Sequence, residues 1–225
     1  MPTSDTGAPT ERETLTPEQT LALIDSQRAK VDAELEVYPS RLYAAWGGAW
    51  LVGFAGLYLT SGTDPLLDSS RGLAFGLFFA LLSAAAAFTA VHIVRATRGL
   101  RGVSATSGAM YGWSWMLSFV SLPVILSSVE RLGVAPPAVD LLWTALPGLL
   151  VGVHYMMAGA MWQDRVGFGL GAWILISTCL AALAGLPGAY LVMSLAGGGG
   201  FLLTAVWTGA RPGSTGWSSG CAGVP

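Results

Sequence analysis

The chain has two histidines, His92 and His154. Both fall inside long apolar runs, where an ionisable side chain is a functional suspect by default. Neutral imidazole is a common ligand of haem and transition metals. Depth argues against a shared site: His92 sits about two residues from the same-side end of its run and His154 about eight, a mismatch of about 9 Å at the rise of a helix. His92 therefore reads as an interfacial residue. His154 reads as a hydrogen-bonded packing residue or the lining of a small cavity. A haem- or metal-binding protein is kept as a remote alternative, and no cofactor is assigned. Met157 and Met161 follow His154 at i+3 and i+7, on its face, and thioether sulfur suits Cu(I). Methionine filling an irregular core is the simpler reading.

Helix-breaking residues form the second group. Pro123 interrupts one apolar run and Gly197-Gly198-Gly199-Gly200 another. Proline deletes a backbone hydrogen bond, and four glycines make a helix locally weak. In a three-plus-three arrangement these interruptions occupy corresponding spans, a pointer to transporter substrate sites. Pro123, His154, Gly198 and Gly199 are accordingly the candidate cavity or substrate residues. Pro147 breaks a further run without a mate, and helix packing around glycines is the competing reading. Trp46, Trp50, Phe54 and Tyr58 recur every four residues, as a packing or lipid-facing stripe would. Small residues repeat at the same spacing in Ala45/Ala49/Gly53, Gly148/Gly152 and Gly167/Gly171, which lets helices approach closely.

Arg95, Arg98 and Arg101, three apart in a polar break running to Gly108, could touch anionic headgroups or dock a cytoplasmic protein. Catalysis has no such foothold. Intramembrane hydrolysis wants a buried Ser–His pair, paired Asp or His-Glu-x-x-His, and proton coupling wants a buried carboxylate. The apolar runs hold no Asp, Glu, Lys or Arg. Glu130, Arg131 and Asp140 fall together near one loop and read as a solvated cluster. The chain is expected not to be an enzyme.

The elements that carry these residues are legible from composition. Only 11% of the residues are charged, against roughly a quarter in a soluble domain. Eight of the 13 acidic residues lie before Tyr43. Runs of about 20 apolar residues, the length that crosses the hydrocarbon core, occupy 42–59, 73–94, 110–129, 141–162, 166–184 and 189–210. Barrel strands would alternate over roughly ten residues, so the fold class is all-α, a polytopic bundle of six transmembrane helices. Nine of the 11 basic residues fall before the first run, in the second and fourth breaks or after the sixth. By the positive-inside rule both termini are cytoplasmic, in the plasma membrane. A net charge of -2 gives no reason to expect nucleic-acid binding.

Residues 1–14 read as a disordered tail and 211–225 as a flexible cytoplasmic one, with Cys221 too far from the end for prenylation. Between 15 and 40 a cytoplasmic amphipathic helix is expected. Thr16 can cap it, Pro17 fits its first position, and Gln19 stands where a capping-box partner belongs. Leu21, Ile24, Val31 and Leu35 follow at helical spacing. The transmembrane domain then spans 41–210, its first run expected to stay as an uncleaved anchor.

Residues 15–37, followed by Leu42-Tyr43-Ala44-Ala45-Trp46-Gly47-Gly48-Ala49-Trp50-Leu51-Val52-Gly53-Phe54, resemble uncharacterised small membrane proteins of high-GC Gram-positive bacteria. The architecture is also similar to the exporter permeases of ABC transporters, with an elbow helix at 17–38 and a coupling loop at 95–108. That resemblance implies a non-enzymatic permease-like subunit driven by a separate ATPase chain, since no Walker motif is present here. A membrane-embedded partner of a cytoplasmic regulator is the alternative, and a homo-oligomer is possible in either case.

Overall fold

A computed structural model describes residues 16–23, 26, 39–62, 65–67, 70–96 and 103–210. All regular structure among them is helical. Six helices are long and apolar enough to cross a membrane: α1 (Pro39–Leu59), α2 (Arg71–Ala96), α3 (Val103–Arg131), α4 (Pro136–Trp162), α5 (Arg165–Ala184) and α6 (Gly188–Gly209). The chain is thus an all-α polytopic membrane bundle. Residues 17–23 form a short helix in a separate N-terminal unit. Its capping box is made in both directions: the Gln19 N–H donates to Thr16 Oγ1 at 3.2 Å, and the Thr16 N–H to Gln19 Oε1 at 2.9 Å. Ile24, Val31 and Leu35, most of the expected amphipathic face, lie outside the described residues, as do 1–14 and 211–225 with Cys221.

The helices outrun the apolar runs. α3 begins at Val103 rather than 110, so the break ending at Gly108 is half helical, while Arg98 and Arg101 lie outside the described residues. Ser and Thr cost little at a helix end near water, so polarity there does not stop a helix. α4 starts on Pro136-Pro137, at first-turn positions whose N–H groups have no partner anyway. Asp140 falls in its second turn. Neither Pro123 nor Pro147 interrupts its helix, a correction to the expected breaks. A membrane helix tolerates an internal proline where local adjustment and neighbours satisfy the freed carbonyl. Gln163, at φ 56°, ends α4, and Asp164 Oδ1 caps α5 by accepting from the Val166 N–H at 3.0 Å.

In space the helices neighbour one another in the order α2, α1, α6, α5, α4, α3. The first and last spans are therefore adjacent, and the two ends of the arc are α2 and α3. Glycine sets the close approaches. A Cβ at Gly171 of α5 would lie 2.6 Å from the Gly152 carbonyl oxygen of α4, and one at Gly159 would lie 2.6 Å from the Phe168 backbone. Gly167 serves differently, since its neighbour is the capping carboxylate of Asp164. Between α1 and α6, Gly198 sits on the Leu51 backbone and Gly47 on Phe201 and Leu202.

The middle of the bundle is filled by rings. Trp50 meets Phe54 edge-on at 5.7 Å and Phe201 at 5.3 Å; Phe201 meets Tyr155 at 5.5 Å, and Phe54 meets Phe78 of α2 at 4.7 Å. Trp50 and Phe54 are buried, with Trp46 and Tyr58 packed against the same cluster. The four-residue aromatic stripe of α1 is thus helix-packing surface.

Candidate functional site

The candidate cavity residues do not converge. Pro123 is on an exposed face of α3, Gly199 faces open space, and Gly198 is pressed against α1. His154 is buried on α4 with Nδ1 2.8 Å from the Leu150 carbonyl oxygen and its ring 4.6 Å from that of Trp115. The Tyr111 hydroxyl donates to the His154 carbonyl at 2.7 Å, tying α3 to α4 at the same level. His154 is thus buried, held to the Leu150 carbonyl within its own helix and packed against Trp115. Met157 and Met161 are about half exposed while His154 points inward, so their shared helical face does not place three ligands together. His92, on α2, stacks on Phe88 at 5.8 Å, and its Nε2 is enclosed without a hydrogen bond. Arg95 ends α2 as an exposed side chain.

A polar cluster forms instead at the end of the bundle that carries the first, third and fifth loops. Arg71, in the first turn of α2, donates to Asp140 of α4 at 2.8 Å. Its guanidinium also lies 5.6 Å from the Phe75 ring centroid and interacts electrostatically with Tyr190 of α6, while Thr144 of α4 donates to the Asp140 carbonyl at 3.3 Å. Arg71 thus ties the start of α2 to α4, whose own neighbours are α3, α5 and α6. Beside it, Glu130, Val134, Pro136, Val139 and Asp140 line a pocket of about 210 Å³. Trp143 Nε1 makes a long 3.4 Å hydrogen bond to Glu130 across the α3–α4 turn. The loop cluster expected from the sequence was Glu130, Arg131 and Asp140. Here Arg131 turns back to Ser128 at 2.9 Å, and the partner of Asp140 comes from 69 residues earlier in the chain. No local signal names Arg71, because its partner depends on how α2 and α4 are brought together.

The second concavity is an apolar groove of about 410 Å³ between α1 and α2, with Ala45, Gly48, Ala49, Ala85 and Phe88 among its lining residues. Trp46 Nε1 donates to Thr89 Oγ1 at 3.0 Å beside it. Two members of the small-residue stripe of α1, Ala45 and Ala49, line it, while the third, Gly53, packs on Phe78 of α2. Neither concavity includes Pro123, His154, Gly198 or Gly199. No family model matches the chain, and neither the curated proteins nor the solved structures give a match.

Electrostatically the Arg71 end is a tether. Both partners are a third to a half exposed, at 49% and 35% of their side-chain surface, so the pair contributes at most about 1 kcal/mol. What it fixes is position: the start of α2 cannot leave α4 without breaking the bond to Asp140.

Proposed function

We propose that the protein is a non-enzymatic, permease-like subunit of a larger membrane assembly, and that it meets its partners through α2 and α3. The observation behind this reading is a contrast in burial. In their most apolar stretches α2 is 6% buried and α3 11%, whereas α1 and α5 reach 39% and α6 44%. In a bilayer no hydrophobic force drives helices together; packing and hydrogen bonds do. α2 packs on α1 but buries little of its surface within this chain, and the groove beside it is lined by residues small enough to admit the backbone of another helix. The ring-filled centre adds to this, because a route for a solute would run more easily between subunits than through such a core.

The orientation proposed from the arginines places the Arg71 end outside the cell and Arg95, Arg98 and Arg101 at the cytoplasmic face, where a separate ATPase subunit or a cytoplasmic regulator would dock. Purification in a gentle detergent with mass spectrometry, combined with photo-crosslinking from Phe79 and Val120, tests the assembly. A crosslinked membrane partner is expected. An accompanying ATPase would mark a transport component and a regulator the alternative, signalling role; reproducible isolation of the chain alone, uncrosslinked, would end both. Cysteines placed at residues 66 and 133 should react with an impermeant thiol reagent on intact cells, while Cys221 should not. Labelling of Cys221 would invert the orientation.

A further inference from the structure

α6 changes its winding part-way. Residues Met193–Gly198 form a π-helix between the α-helical pieces Gly188–Val192 and Gly199–Gly209. A π-bulge carries one residue more than the α-helix would hold over the same rise. Where the wide turn closes, the Gly199 N–H is shared between Leu195 O and Ala196 O. The Trp173 indole N–H of α5 donates to Ala196 O at 2.8 Å, and the Ser194 hydroxyl donates to Leu51 O of α1 at 2.8 Å. The extra residue is therefore clasped from both sides by bonds between helices. Gly197 rests on the Trp50 ring and Gly200 on the Trp173 ring, while Gly199 faces open space. Just beyond, Phe201 is fully buried between Trp50 and Tyr155.

We infer that this π segment is a register switch that opens and fills the centre of the bundle. Absorbing the extra residue into a regular α-helix turns the piece Gly199–Gly209 by about 100° and moves it about 1.5 Å along its axis, one residue's worth of helix. Each residue of that piece then takes the place of the one after it. Gly200 moves into the position of Phe201, and the space among Tyr43, Trp50 and Tyr155 is vacated. Phe201 swings to the position of Leu202. Glycine at 197–200 makes the passage feasible, because no side chain has to cross the Trp50 and Trp173 rings as the turn rewinds. The filled register is the resting one, with the Trp173 and Ser194 bonds as its latches. The vacated register is the one a bound ligand or a partner subunit would hold.

The register can be read at the far end of the helix. A Cβ at Gly209 would lie 3.5 Å from Ser40 Cβ, within the disulfide range of about 3.5–4.5 Å. In a background with Cys179→Ser and Cys221→Ser, the pair Ser40→Cys/Gly209→Cys should oxidise readily, and Ser40→Cys/Thr208→Cys poorly. Gly200→Phe should reverse that preference, since its Cβ collides with the Trp173 ring in the resting register and fills the Phe201 position in the other. Trp173→Phe keeps the ring and removes the donor, and should raise the Thr208 crosslink about five-fold over the parent, the effect of one lost hydrogen bond. Deleting Gly199 removes the extra residue without moving Phe201. That variant should keep the Gly209 crosslink even when Trp173→Phe is added. A Gly200→Phe protein that inserts and still crosslinks through Gly209 overturns the switch. If Gly200→Phe does not accumulate, an unchanged Thr208 crosslink in Trp173→Phe overturns it equally.

Discussion

α2 and α3 are built from the same kind of sequence as α4 and α5, and their fates differ. Gly72/Gly76 and Gly108/Gly112 have the four-residue spacing of Gly148/Gly152 and Gly167/Gly171, yet a Cβ at any of those first four would meet nothing within 4 Å. At Gly148, Gly152 and Gly171 it would collide with a neighbouring helix. Hydropathy runs against burial as well: α2 has the highest mean hydropathy of the six, 2.2, and the lowest burial, 6%. Hydropathy measures how well a segment tolerates lipid. Whether it packs depends on a second helix that offers a matching surface, and α2 and α3 each pack mainly on one helix where α6 packs on α1, α5 and α4.

The contrast should be largest at Gly171. Its Cβ would meet backbone on α4, the Gly152 oxygen and the Met156 nitrogen at 2.7 Å, which cannot rotate away. Gly171→Ala should cost about 3 kcal/mol, at the upper end of overpacking, and lower the melting temperature by roughly 6–12 °C for a chain of this size. Gly76→Ala and Gly112→Ala, with open space around them, should be neutral or gain up to about 1 kcal/mol from helix propensity. Equal melting of all three in the same detergent would erase the distinction between the two regions.

Within α6 the same test separates adjacent residues. Gly198→Ala should destabilise by about 2 kcal/mol, because its Cβ would sit 2.7 Å from the Leu51 nitrogen. Gly199→Ala, facing nothing, should be neutral or stabilising. A double mutant that loses no more than Gly198→Ala alone confirms that one glycine is packing and the other is not.

Smaller effects sharpen the boundary between α3 and α4. Tyr111→Phe removes the donor to the His154 carbonyl and should cost about 0.6 kcal/mol, the average of interhelical hydrogen bonds in membranes. His154→Leu leaves the Trp115 contact partly filled and should cost about 1–2 kcal/mol, mostly in lost shape complementarity. Met157→Leu, exposed on the same helix, should be silent. The smallest effect belongs to the tether. A double-mutant cycle over Arg71→Ala and Asp140→Ala should give a coupling of about 0.5 kcal/mol, while exchange of the first α2 amides quickens in either single mutant. A coupling above about 2 kcal/mol would mean that the pair is less solvated than its exposure indicates.

Sequence reasoning succeeded where the physics is local. The capping box at Thr16 and Gln19 forms because both partners lie within one turn. Rings every four residues share one face, so the α1 aromatic stripe was readable as one surface; that it meets helices rather than lipid came from the ring contacts of Trp50 and Phe54. It failed at Pro123 and Pro147, where a local rule about proline was outweighed by the need of lipid-embedded backbone to stay hydrogen-bonded. Four glycines in a row signal a weak point in the helix, but its winding as a π turn depends on Trp173 and Leu51 arriving from other helices, which no local pattern encodes.

Six apolar runs with charges only at their ends determined that the chain crosses the membrane six times as helices, since lipid leaves the backbone no other way to satisfy its polar groups. The order of the helices in space, the pairing of Arg71 with Asp140, and the choice of which glycines are contacts and which are open were decided only in the tertiary structure. Each of these depends on residues far apart in the chain meeting across an interface, and every apolar face is equally content in lipid until a complementary helix is found.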